Sequence, residues 1–122
     1  MKIVDMTIGG KAYKLRFNID VLTAIYNKFG DTANMYESLE SSSTADSIST
    51  YVWLAAELAN AGADYENYCG RDAAHTTAKE ISMLTDGLDF PIIKQKVIEA
   101  MMAEPKVNVS SSKNAIATVE EA

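Results

Sequence analysis

Cys69 and His75 stand six positions apart and are the only cysteine and the only histidine of the chain. A thiol nucleophile served by an imidazole base is the chemistry such a pair offers, provided the thiol pKa is lowered and a third group orients the ring. Gly70 falls between them and no nucleophile signature surrounds either. They read more simply as a partly buried cysteine and a surface histidine before a helix start. Two carboxylate pairs, Asp64 with Glu66 and Asp86 with Asp89, have the residue types for metal binding or acid–base work. Neither has the ligand order of a calcium loop. Placement near expected helix starts assigns both to free backbone amides and the positive end of a helix dipole. Gly9-Gly10-Lys11 has the composition of an anion loop, but phosphate-loop spacing, a following hydroxyl residue and a helix are all missing. Asn108-Val109-Ser110 is a glycosylation sequon by pattern alone. The expectation is a protein with no catalytic residue, no cofactor and no metal site.

The elements that position these residues begin with a hairpin. Residues 2–8 and 12–18 are rich in strand formers and are joined by Gly9-Gly10, the dipeptide of a two-residue hairpin loop. Pairing Ile8 with Lys11 sets Met6 against Tyr13, Val4 against Leu15 and Asp5 against Lys14. One face then carries Val4, Met6, Tyr13, Leu15 and Phe17. Asn18 is placed to cap a helix with the stripe Ile19, Leu22, Ile25, Tyr26 and Phe29, stopped by Gly30. A short helix over 33–39 precedes the serine run 41–43. The longest helix is expected over 44–61, ending before Gly62, with Ile48, Tyr51, Val52, Ala55, Leu58 and Ala59 on its core face. One further turn is expected over 64–69. Thr77-Ala78-Lys79-Glu80 has capping-box spacing, and Asp89 with Pro91 opens a last helix whose stripe is Phe90, Ile93, Val97, Ile98 and Met101.

The fold class expected is α+β, mainly α: an N-terminal two-stranded β-hairpin packed on a bundle of four to five short helices. Residues 1–103 form this single domain, and 104–122 form a flexible C-terminal tail. With 122 residues, 48% of them hydrophobic, and no repeat, one core accounts for the chain. Its net charge of −6 disfavours nucleic acid and membrane surfaces as partners. The lack of a secretory or membrane-spanning pattern points to a soluble cytoplasmic protein.

Charge is uneven along the chain. Residues 1–43 are neutral and 44–102 carry −5, with Lys11, Lys14 and Arg16 clustered on the hairpin. That asymmetry makes Lys14 and Arg16 candidates for head-to-tail self-association and a homo-oligomer. Six methionines supply adaptable apolar surface. Trp53 lies off the stripe of its helix and Met102 beyond the last one, so Trp53, Met101 and Met102 are the candidates for partner binding.

The order of these elements resembles the tail assembly chaperones of long-tailed bacteriophages and prophages. The residues that carry the resemblance are Thr7-Ile8-Gly9-Gly10-Lys11, Tyr13-Lys14-Leu15-Arg16-Phe17 and Asn18-Ile19-Asp20-Val21-Leu22-Thr23-Ala24-Ile25-Tyr26-Asn27-Lys28-Phe29-Gly30-Asp31. Downstream, Trp53-Leu54-Ala55-Ala56-Glu57-Leu58 and Thr77-Ala78-Lys79-Glu80-Ile81 are similar to the family's middle and late helices. The likeness covers residues 2–102 and contains no active-site residue. It implies a non-catalytic holdase of viral morphogenesis in the host cytoplasm. Such a protein coats the long helical tape measure protein before tail tube protein polymerises around it, and self-associates. A longer form made by ribosomal frameshifting would extend from the tail. The competing expectations are a structural tail or head–tail joining protein, and a small regulatory or enzymatic domain using Cys69 and His75.

Overall fold

The computed structural model describes residues 1–40 and 44–102. It is an N-terminal antiparallel hairpin on five α-helices: β1 (Val4–Ile8), β2 (Lys11–Leu15), α1 (Ile19–Phe29), α2 (Thr32–Glu40), α3 (Thr44–Tyr68), α4 (Ala78–Leu84) and α5 (Phe90–Met101). A single 3₁₀ turn, Gly87–Asp89, joins α4 to α5. The C-terminal residues expected to form a tail, with the sequon, lie outside the described residues, as do Ser41, Ser42 and Ser43.

The hairpin has the expected register, Val4 with Leu15, Asp5 with Lys14, Met6 with Tyr13 and Ile8 with Lys11. Gly9 and Gly10 take φ of 57° and 77°, the pair of positive angles that matches the strand twist in a two-residue loop. Val4, Met6, Ile8, Tyr13 and Leu15 are buried. Phe17, expected on this face, is exposed because the strand ends at Leu15 and the chain turns into α1.

β2 lies along α3 and β1 along α5, so the ribbon bridges the two helices. Just past the end of β2, the Arg16 N–H donates to the Leu58 carbonyl of α3 at 3.0 Å. α3 is the centre of the core, with Leu54, Ala55 and Leu58 fully buried and Tyr51, Val52, Ala56, Ala59, Ala61 and Ala63 nearly so. Ile48, expected on that face, remains exposed at the first turns.

At 25 residues, α3 runs straight through Gly62, and the turn expected over 64–69 is its continuation. The expected stop at Gly62 is therefore wrong, for a packing reason. A Cβ at Gly62 would overlap the Lys14 carbonyl, so this glycine lets β2 approach the helix rather than ending it. The helix ends at Gly70, with φ of 88°. There the Arg71 N–H reaches the Glu66 carbonyl at 2.9 Å and the Gly70 N–H reaches the Asn67 carbonyl at 3.0 Å, the paired bonds of a Schellman stop.

Two caps form as the sequence predicts. The Asn18 side chain accepts from the Val21 N–H at 3.0 Å, and Thr77 accepts from the Glu80 N–H at 3.0 Å. Pro91 sits in the first turn of α5, but the Asp89 side chain makes no capping bond. On α5 the buried residues are Ile93, Val97 and Ala100, whereas Ile98 is exposed.

Candidate partner-binding surface

The polar clusters resolve into structural contacts. His75 Nε2 lies 2.6 Å from Asp64 Oδ1 on α3, so the ring is engaged by a carboxylate rather than by Cys69. Cys69 is exposed, contrary to the partial burial expected, and neighbours Tyr65, whose phenol pKa its hydrogen bond raises. Asp64 and Glu66 occupy the last turns of α3, not a helix start. Glu66 receives Arg71 through both oxygens at 2.7 and 3.0 Å, and the hydrogen bond with that guanidinium lowers its pKa. Asp86 and Asp89 make no side-chain cap. Among the described residues no three metal-ligating side chains converge.

Glu80 forms a cluster that spacing alone misses. A capping box would send its carboxylate back to Thr77, but Oε2 instead accepts from Lys11 Nζ at 2.7 Å, Tyr13 Oη at 2.6 Å and Thr76 Oγ1 at 2.8 Å. These donors hold its pKa down at about 2, Lys11 contributing most. Burial, followed by the bond to Glu80, raises the pKa of the Tyr13 phenol. The result is a clasp between the hairpin and α4. Its signal in the sequence is the alternation that turns Lys11 and Tyr13 towards one side of β2, but the partner sits 67 residues away from Tyr13.

Lys14 and Arg16, the self-association candidates, both have partners within the chain. Lys14 pairs with Asp5 at 2.8 Å across the hairpin, and the Arg16 guanidinium stacks 5.1 Å from the Tyr65 ring centroid. Lys14 therefore has its charge balanced, whereas Arg16 has no carboxylate partner among the described residues.

The surface with an unexplained chemistry is apolar and begins on α1. At 100° per residue, Val21, Ile25, Phe29, Leu22, Tyr26 and Ile19 cover an arc of about 160°. Only one side of this arc is in the core, where Val21 and Ile25 are buried. Ile19, 73% exposed, and Tyr26, 49% exposed, were expected to be core residues and instead face outwards, with half-buried Leu22 beside them. The stripe Ile19, Leu22, Tyr26 has the i, i+3, i+7 spacing with which one helix accepts another.

Grooves lie near both ends of α1. At its start, Arg16, Phe17, Ile19 and Leu22 line one groove, and Arg16 and Phe17 also line a second of about 400 Å³ with Lys2, Ala100, Met101 and Met102. Met101 is half-buried against the core and Met102 is 60% exposed. At its end, Phe29 lines a groove of about 620 Å³ with Lys28, Asn34, Asp46 and Trp53. Trp53 is half-buried, edge-on to Phe29 with centroids 5.8 Å apart, and Lys28 Nζ stands 5.2 Å from its ring. Trp53 thus lies beside Phe29 at the C-terminal end of α1, whereas Met101 and Met102 share a groove with Arg16 and Phe17, which precede α1.

No protein-family model, curated protein or solved structure matches this chain. No helix among the described residues is long and apolar enough to cross a membrane.

Proposed function

We propose that this protein is a non-catalytic tail assembly chaperone of a long-tailed bacteriophage or prophage. In this reading it is a holdase that covers apolar stretches of the tape measure protein in the host cytoplasm until tail tube protein displaces it. The observation that carries the proposal is the outward stripe Ile19, Leu22, Tyr26. A helix that turns a periodic apolar face to solvent gains by accepting a second helix, and the tape measure protein is a long helical chain. The resemblance over residues 2–102 supplies the identity of that partner. Covering a side chain such as Ile19 contributes about 1.5–3 kcal/mol, a scale that suits a protein that must hold its client and then release it.

Co-expression with the long helical product of the neighbouring gene tests the proposal. The wild-type chain keeps that product soluble and co-purifies with it, while the Ile19→Ser, Tyr26→Ser double variant folds normally and fails to do so. A client that stays insoluble beside the wild-type chain, or is held equally well by the variant, removes the proposal.

A further inference from the structure

α5 delivers the chain into an apolar groove beside two bases. Ala100, Met101 and Met102 line that groove with Phe17, Lys2 and Arg16, and a second groove of about 480 Å³ carries on from Arg16 and Phe17 to Ile19 and Leu22. Together they lead from the end of α5 to the outward stripe of α1. Lys2 Nζ meets only the Met102 carbonyl, at 3.3 Å, and Arg16 stacks on Tyr65, so neither base has a carboxylate partner among the described residues. Asp20 is the one acid lining either groove. We infer that these grooves and the stripe receive residues 116–121 of the same chain, with Ile116 and Val119 covering Ile19 and Leu22, and Glu120 and Glu121 set against Arg16 and Lys2.

Charge and reach identify the occupant. Ile116 and Val119, three positions apart, are followed at once by two acids. The other apolar pair beyond Met102, Val107 and Val109, follows Lys106, which would bring a third base to Lys2 and Arg16. Met102 leaves α5 with extended backbone angles, φ −74° and ψ 142°. From there residues 103–115 span up to about 43 Å when extended, against about 16 Å for the whole of α1, so residues 116–121 can return antiparallel to α1 and finish at its first turn. The positive pole of that helix favours acids at the same end. A segment docked in this way occupies the surface proposed for the client, which must then displace it. That consequence rests on the proposed function, whereas the docking itself does not and is tested on the purified chain alone.

Disulfide trapping in the full chain, with Cys69→Ser as background, provides the test. Thr23 is exposed beside the stripe, so Thr23→Cys with Ala117→Cys leaves the apolar contacts intact. In a glutathione redox buffer at micromolar protein, these two cysteines close within the monomer about tenfold or more faster than Leu88→Cys with Ala117→Cys, as expected for a contact that buries at least one aliphatic side chain. Ile116→Ser with Val119→Ser removes the excess. Arg16→Glu slows closure, and adding Glu120→Arg and Glu121→Arg restores it, because the exchanged charges again pair. Equal rates for the two cysteine pairs, no loss in the serine variant, no recovery on charge reversal, or a disulfide that joins two chains instead of closing one overturns the inference.

Discussion

Gly62→Ala puts two opposed effects on a single methyl group. In the interior of a 25-residue helix, alanine in place of glycine stabilises by about 1 kcal/mol through helix propensity alone. Here the new Cβ would overlap the Lys14 carbonyl, a backbone obstacle with no rotamer to turn aside. Forcing an extra carbon into a closed contact costs about 1–3 kcal/mol. Displacing β2 also endangers the 3.0 Å bond between the Arg16 N–H and the Leu58 carbonyl, at about 1 kcal/mol. The clash dominates, for a net loss of about 1–3 kcal/mol. In a domain of this size that lowers Tm by about 5–20 °C. Thermal and urea unfolding followed by circular dichroism provide the measurement, with Gly87→Ala as the control because nothing lies within 4 Å of a Cβ there. The sign decides the matter: a G62A protein melting at or above the wild-type temperature would refute the docking of β2 on α3.

Three further outcomes follow from the contacts. Glu80 has its carboxylate pKa held at about 2, against 4.5 ordinarily, so the stability it contributes is fully present above 4.5 and is lost as pH falls towards 2. Glu80→Gln should flatten the acid limb of a plot of urea midpoint against pH, and an unchanged limb would show that the clasp does not form. Asn18→Ala removes the acceptor of the Val21 N–H and should cost about 1 kcal/mol in urea unfolding, whereas Asn18→Asp retains most of the stability. Cys69 is exposed at the end of α3 and should alkylate in the native protein without loss of helicity; protection that disappears only in denaturant would contradict that position.

The limits of the sequence show most clearly on α1 and α3. Periodicity identifies Ile19, Leu22, Ile25, Tyr26 and Phe29 as one stripe, and they do form one. It cannot say which side of a wide apolar arc a neighbouring helix will cover. Val21 widens the arc, and α2 and α3 pack against the Val21–Ile25 side. The glycine rule misplaces the end of α3 because Gly62 and Gly70 look alike as residues: one accommodates a strand carbonyl and the other a left-handed backbone. Glu80 shows the same limit for polar groups. Its spacing from Thr77 is local information, while Lys11 and Tyr13 reach it only because the hairpin folds over α4.

What the sequence determined by itself is therefore what depends on neighbours along the chain: the hairpin register, the caps at Asn18 and Thr77, the stop at Gly30 and the succession of helices. Turn conformation, side-chain alternation and capping hydrogen bonds act over a few residues, so residue type and spacing specify them. Tertiary structure alone decided that α3 continues to Tyr68, that Glu80 closes a clasp, and that Ile19, Tyr26 and Leu88 stay in solvent. Those outcomes rest on which surfaces meet across long stretches of chain, and one apolar side chain looks the same in a sequence whether its own core covers it or a partner is left to.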